Sequence, residues 1–294
     1  METDDYDYES YERAKTRRNN PRTKISPMHK NSRTGTVIAV DRGRYMILSR
    51  KTTHYAMRSS ALKSEKIVCG DKVKFIADKV VSNAQNAKHD TLARIVEVLK
   101  RKTYLCRALN DDDVNDRVIA ANVNQAIICV ALSNPAPRTN FIDRMIKSCV
   151  NGGVEPIICW TKNDLLNEDN VSSESHNSVM KMVKCYENRG LKSITIGFEN
   201  EGAKKIANFK GVQKLLKDKK SVFIGESGVG KSTIINLLVP NANRVTNEVN
   251  EVTGKGRHTS SSSKMYALDG LGNGTFIIDT PGVRSWGVLQ KNDS

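Results

Sequence analysis

Ser221-Val222-Phe223-Ile224-Gly225-Glu226-Ser227-Gly228-Val229-Gly230-Lys231-Ser232 is the stretch that decides the fold. Its first four residues are a short apolar run, readable as a buried strand. Thr233-Ile234-Ile235-Asn236-Leu237-Leu238, directly behind it, is readable as the first turns of a helix. Between them stands G-x-x-x-x-G-K-[ST], in the strand, glycine loop, helix context that phosphate binding requires. The glycines let backbone N–H groups curl around α- and β-phosphates at the positive end of the helix. Lys231 reaches the β- and γ-phosphates, and the Ser232 hydroxyl ligates Mg²⁺. Gly225, Glu226, Ser227, Gly228, Val229, Gly230, Lys231, Ser232 and Thr233 are therefore the expected phosphate-side residues.

Two further motifs narrow the ligand. Downstream, Thr275-Phe276-Ile277-Ile278 runs into Asp279-Thr280-Pro281-Gly282, a strand ending in D-x-x-G. Asp279 at that place holds Mg²⁺, usually through water, and the Gly282 N–H approaches a γ-phosphate because no side chain blocks it. Upstream, Pro156-Ile157-Ile158-Cys159-Trp160 leads into Thr161-Lys162-Asn163-Asp164. The Asp164 carboxylate can accept from both N1–H and the exocyclic 2-amino group of guanine, a donor pair adenine lacks. Lys162 can lay its aliphatic stem along the base. Thr161 stands where Asn is usual, so its hydroxyl is expected to bond locally. The base-reading motif precedes the phosphate loop, the reverse of the usual GTPase order, which implies a permuted wiring.

The surrounding pattern gives the architecture. Ala126-Ile127-Ile128-Cys129-Val130-Ala131-Leu132 is a wholly apolar strand candidate. Phe141, Ile142, Met145, Ile146, Cys149 and Val150 then recur at helical spacing, and further strands are expected at 156–160, 193–197, 221–224 and 275–278. Apolar strands alternating with helices imply a mostly parallel, doubly wound sheet covered on both faces, with ligands at the strands' C-terminal ends. The loop beginning at Gly197 is expected to close over the base with backbone groups. Asn241 to Lys264 is polar, carries four consecutive serines and is expected to be a coreless switch ordered by γ-phosphate and Mg²⁺.

Charge separates this α/β region from what precedes it. The 294 residues carry a formal net charge of +15. Residues 1–12 hold six acids and no Lys or Arg; residues 13–110 hold 24 basic and 6 acidic residues; residues 111–294 hold 23 and 20. The excess thus lies ahead of the nucleotide region and points to a polyanionic partner, RNA foremost. Residues 1–32, acidic and Tyr-rich and then basic, read as a flexible arm. Residues 33–108 contain short alternating runs at 36–40, 45–48, 72–76 and 92–96, which fit a small all-β barrel. Arg42, Arg44, Arg50, Lys51 and Arg58 are its candidate RNA contacts. Tyr45, Tyr55 and Phe75 can stack on bases, although core packing is the commoner fate of such residues. Asp111-Asp112-Asp113 marks a polar joint before a nucleotide domain at 114–294. The six cysteines lie at least ten residues apart with no metal-ligand spacing, and are read as buried free thiols of a reducing cytoplasm. No long apolar segment, signal peptide or lipidation motif is present, so no membrane partner is expected.

Taken together, T-K-N-D, G-E-S-G-V-G-K-S, G-R-H-T at 256–259 and D-T-P-G, in that order, resemble the circularly permuted GTPases of the ribosome small-subunit-dependent GTPase A family. Val68-Cys69-Gly70-Asp71-Lys72-Val73 resembles the V-x-G-D segment of that family's N-terminal OB-fold, and the resemblance spans about residues 33–290. It implies a P-loop GTPase domain preceded by an OB-fold barrel that binds rRNA, and a cytoplasmic, monomeric factor that assists late maturation of the small ribosomal subunit. It implies GTP with Mg²⁺, held by Ser232, Thr259 and Asp279, and catalysis by Lys231, Thr259 and His258. His258 would act where Val283 replaces the usual Gln. Many relatives continue into a zinc-binding helical domain after D-T-P-G, whereas Ser294 lies twelve residues beyond Gly282, so no zinc is expected. Two other readings stay open: an RNA-binding module with a regulatory, non-catalytic guanine-nucleotide site, and a metabolic P-loop kinase.

Overall fold

Strand β1 (Arg33–Asp41) is shared between two cores. Gly35, Val37 and Ala39 are buried on one face, while Ile38 and Val40 of the other face pack on a separate apolar cluster. A strand buried on both sides must be apolar at consecutive positions, which is why residues 36–40 break strict alternation. The computed structural model describes residues 31–77, 92–107, 118–167, 172–197, 207–240, 263–272 and 274–280. The predicted arm lies outside these, apart from residues 31 and 32, as do Asp111-Asp112-Asp113.

The first of the two cores is a closed five-stranded barrel. β1, β2 (Arg44–Ser49), β3 (Thr52–Arg58), β5 (Ala93–Val98) and β4 (Lys72–Ala77) follow one another, and β4 pairs back onto β1. The β3–β5 pairing is parallel and the others are antiparallel. The interior holds Val37, Tyr45, Ile47, Ala56, Leu62, Ile67, Val73, Phe75, Ala93 and Ile95. Tyr45 and Phe75 are thus core residues and not stacking platforms; the side chains alternate inward by the period of two that a strand imposes. Tyr55, half-buried, does not join that core cluster.

The second core belongs to an α/β layer. Its parallel strands run in the order β10 (Lys192–Thr195), β9 (Glu155–Thr161), β8 (Gln125–Ala131), β11 (Lys220–Gly225), β13 (Phe276–Asp279). All seven residues of β8 are buried, as a central parallel strand requires. Helices α1 (Thr139–Asn151), α2 (Ser173–Asn188), α3 (Phe209–Leu216) and α4 (Lys231–Leu238) connect them. On α1, Ile142, Met145, Ile146 and Cys149 are buried, whereas Val150 is exposed. Phe141 and Val150 lie at the two edges of the apolar stripe, so the helical spacing overstated its width by one residue. Four cysteines, Cys69, Cys129, Cys149 and Cys159, are buried as expected; Cys106 is half-buried and Cys185 exposed, because α2 turns that position to solvent.

The strand that joins the two cores is not among those expected from the sequence. β12 (Ser263–Ala267) begins in the last two residues of the expected switch, 241–264, and continues beyond it, and it pairs antiparallel with both β13 and β1. Met265 and Tyr266 are buried there, one toward each core face. Through β12 the barrel and the α/β layer form a single eleven-stranded sheet within one compact unit, Ser32–Ser294. A two-stranded ribbon of β6 (Tyr104–Cys106) and β7 (Val118–Ala121) covers the joint.

The turn Val68–Asp71 fastens the joint. Its backbone donates from Gly70 to Val37 O (2.8 Å) and receives Ala121 N on Cys69 O (2.9 Å). Gly70 has φ +91° and lies so close to the Ala121 carbonyl that a methyl group there would collide with it. The fully buried Asp71 carboxylate accepts from Val68 N (2.8 Å) and from Arg101 at 2.7 Å and 2.9 Å, while Arg101 also donates to Lys66 O (2.6 Å). Both oxygens of the buried charge are therefore satisfied by a bidentate guanidinium and a backbone amide.

Candidate functional site

The phosphate loop sits where β11 ends, between β8 and β13, at the C-terminal edge of the parallel strands. Gly225, Gly228 and Gly230 all have positive φ, at +148°, +80° and +92°. Gly225 also passes so near Cys129 O on β8 that only a residue without Cβ fits. Gly230 is the N-cap of α4, and no side chain caps that helix. The N–H groups of its first turn are thus available to an anion, helped by the helix dipole. Lys231 Nζ donates to Gly225 O at 2.8 Å and to Glu226 O. Its pKa is held below the usual lysine range by burial, an effect opposed by Cys129 and Asp279. Ser232 and Thr233 are exposed at the start of α4, and Val229 is buried beneath the loop.

The base-reading turn meets this loop directly. Thr161, buried at the end of β9, donates its hydroxyl to Val229 O at 2.6 Å, with Val130 O at 3.3 Å. The residue that departs from the Asn pattern is therefore the tie between the base turn and the phosphate loop. Lys162 has φ +59°, which lifts the chain into the tight turn, and its Nζ donates to Asn134 O. Asn163 N donates to Ile196 O at 3.3 Å, and Asp164 begins a 3-10 turn, Asp164–Asn167. Gly197 closes over Asp164: a methyl group on it would stand 2.8 Å from Asp164 Oδ1 and 2.9 Å from its backbone N. The sequence singled out the loop at Gly197 without this contact, because the approach of two distant loops leaves no local pattern.

Asp279 ends β13, next to β11, and is partly buried; burial raises its pKa above the usual carboxylate range and Lys231 pulls it back. Thr280 donates to Phe223 O at 3.3 Å, anchoring the start of D-x-x-G to the strand that carries the phosphate loop. Thr161, Lys162, Asn163, Asp164, the loop 225–233 and Asp279 thus converge on one edge of the sheet. Gly256 to Thr259, with His258 and Thr259, and Gly282 and Val283 lie outside the described residues. Asn134 and Arg138, in the segment between β8 and α1, also border the site; Arg138 forms an ion pair with Glu226. No spacing in the sequence flagged them, since their partners lie 28 and 88 residues away.

We expect Thr161→Val, which keeps the shape and removes the donor, to leave Val229 O without this partner. Guanine-nucleotide affinity should fall about fivefold to tenfold, the cost of one buried hydrogen bond. Titration of the variant with a fluorescent guanine nucleotide checks this, and unchanged affinity would remove Thr161 from the tie.

The barrel's cationic candidates do not form one patch. Arg42, Arg44 and Arg58 are exposed at the end where β1 turns into β2, whereas Arg50 and Lys51 form the β2–β3 turn at the opposite end. At the first end, Val40 pairs with Ser263, the first residue of β12. Among the described residues no helix is long and apolar enough to cross a membrane.

Comparison with known proteins agrees with this geometry. Residues 98–289 match the family model described as RsgA GTPase. The small ribosomal subunit biogenesis GTPase RsgA of Actinobacillus succinogenes is 32% identical over 214 residues, 72% of this chain and 57% of that protein. The protein of the same name from Haemophilus influenzae (strain ATCC 51907 / DSM 11121 / KW20 / Rd) is likewise 32% identical, over the same shares. The chain therefore spans less than two thirds of the length of these curated relatives. Among solved structures, YjeQ from Thermotoga maritima superposes with a TM-score of 0.59 at 21% identity, covering 87% of this chain and 77% of that one. YloQ, a circularly permuted GTPase, superposes with a TM-score of 0.54 at 20% identity, covering 89% and 75%. These two likenesses bear on the fold, a barrel joined to a permuted nucleotide-binding layer.

Proposed function

The chain belongs to the RsgA GTPase family, and on that premise we propose that it hydrolyses GTP and acts in maturation of the small ribosomal subunit in the cytoplasm. The observation that carries the guanine assignment is the convergence of Asp164, held against Gly197, with the phosphate loop through the Thr161–Val229 hydrogen bond. In this reading the 114–294 region is the GTPase domain and the 33–108 barrel the rRNA-binding domain, with 1–32 as an arm. The factor works as a monomer. Its relatives' name supplies the ribosomal subunit as partner, and the basic excess of residues 13–110 supplies the physical reason for RNA contact.

The residues divide the work as follows. Asp164 selects guanine over adenine, and Lys162 covers the base. The amides of 225–233 hold the α- and β-phosphates, and Lys231 leaves the loop carbonyls for the β- and γ-oxygens, stabilising charge that develops during in-line attack by water. Ser232 and Asp279 suit Mg²⁺: Ser232 is an exposed hydroxyl on the first turn of α4, and Asp279 is a partly buried carboxylate whose charged form, disfavoured by burial, a cation would stabilise. Thr259 completes that set and His258 orients the water, both assigned by resemblance. When bound, Mg²⁺ would neutralise phosphate charge. β12, which follows the switch segment, is hydrogen-bonded to barrel strand β1, so docking of the barrel and ordering of the switch bear on one sheet.

GTP and ATP turnover, each measured with and without purified small ribosomal subunits, tests the proposal. Slow intrinsic GTP turnover, stimulated at least tenfold by subunits and absent with ATP, is the expected result. Lack of stimulation would remove the ribosomal role, and equal use of ATP would remove the role of Asp164.

A further inference from the structure

Glu226 is an acid in a loop built to hold polyanions. Its side chain is 16% exposed, so solvent screens its charge poorly. The cation that meets it is Arg138, whose guanidinium pairs with the Glu226 carboxylate from the segment between β8 and α1. Arg138 is the N-cap of α1, and its backbone carbonyl already accepts from Phe141 N (3.0 Å) and Ile142 N (3.1 Å). Its side chain makes no cap bond and is instead directed to the phosphate loop, with the guanidinium carbon 5.8 Å from the Phe141 ring centre. The same segment touches the base-reading turn: Leu132 N donates to Thr161 O at 2.9 Å, and Lys162 donates to Asn134 O. Residues 132–138 therefore run from the base side of the site to the phosphate side.

We propose that Arg138 is a positioning residue that compensates the charge of Glu226 and so permits the loop to accept guanosine di- and triphosphates. The inference rests on the nucleotide-binding reading given above. Lys231 already donates to the backbone carbonyl of Glu226. With Arg138 removed, the Glu226 charge would stand uncompensated in the loop that holds the phosphates, beside the Lys231 that those phosphates need. Each added phosphate charge enlarges the penalty, because Coulomb repulsion scales with the ligand's charge. A purely structural tie would weaken all guanine nucleotides alike.

The test is competitive displacement of a fluorescent guanine nucleotide from the full chain by GTP, GDP and GMP at fixed ionic strength. For Arg138→Met the affinity for GTP should fall about tenfold, for GDP about fivefold and for GMP about twofold, the scale of a partly screened charge pair. Arg138→Met combined with Glu226→Gln should return to within about twofold of the unmodified chain, since the charge needing compensation is gone. Arg138→Lys should lose about twofold, and circular dichroism melting of each variant establishes that it is folded. Equal losses for the three nucleotides, or a double variant no better than Arg138→Met, would overturn the inference while leaving the nucleotide site in place. An unmodified chain that binds no guanine nucleotide would overturn the proposed function and this inference with it.

Discussion

Asp164→Asn is expected to lower GTP affinity by about 100-fold and to create a preference for xanthosine triphosphate. In the proposed reading the carboxylate would accept from two guanine donors, N1–H and the 2-amino group, and these charge-assisted bonds would form inside a turn closed by Gly197. An Asn of the same shape keeps one acceptor and turns the other oxygen into a donor. That donor faces the 2-amino group of guanine, leaving two donors opposed, but it matches the 2-carbonyl of xanthine. Sites that hydrogen-bond a ligand reject the mismatched analogue by large factors because buried polar groups are left unpaired. Competition of GTP, ATP and xanthosine triphosphate for a fluorescent nucleotide reads the switch. If Asp164→Asn still preferred GTP, the base would be read by other groups, with the Gly197 backbone the first to examine.

Arg101→Met should produce the largest loss of stability. Asp71 is fully buried, and Arg101 supplies two of the three hydrogen bonds that its carboxylate accepts. Removing one partner of a buried ion pair leaves an uncompensated charge, which costs about 3–5 kcal/mol. For a unit of this size that is roughly 5–9 °C in melting temperature. Arg101→Met with Asp71→Asn should recover part of the loss, because the amide oxygen still accepts from Val68 N and no charge remains buried. Calorimetry of the two variants decides between a charge-pair role and simple packing: if the double variant melts no higher than the single one, packing of the Arg101 stem is what matters. Since the pair holds the Val68–Asp71 turn between the barrel strand β1 and the β6–β7 ribbon, the same variant should also loosen the barrel's attachment.

Much of the fold was legible because its signals are local. The glycine loop, with strand before and helix after, requires a particular backbone shape over twelve residues, and the apolar run 126–132 can be satisfied only by burial on both faces. Thr52–Arg58 and Ser263–Ala267 were not read as strands. The first carries His54 and exposed Met57 amid polar neighbours, so its period-two pattern is weak. The second begins at the last of four serines, and its burial comes from two flanking strands about 240 residues apart in sequence. Phe75 could stack on a base, although core packing is the commoner fate; its place in the barrel, paired with β1 and β5, puts it in the core.

By itself, the sequence determined the order of the motifs, T-K-N-D before G-E-S-G-V-G-K-S before D-T-P-G, and pointed to the nucleotide site they would compose. Those properties depend on residue identity at short range, where a glycine, a lysine or a carboxylate has one chemical use. Tertiary structure alone decided that Thr161 spends its hydroxyl on the phosphate loop, that Arg138 answers Glu226, and that Asp71 is neutralised by Arg101 across the joint. It also decided that one strand, β12, joins the barrel to the nucleotide layer. Each of these is a pairing between residues tens to hundreds of positions apart. Such pairings arise from how sheets and loops close on one another, and burial makes them obligatory, since a desolvated charge or hydroxyl must find its partner wherever the fold brings one.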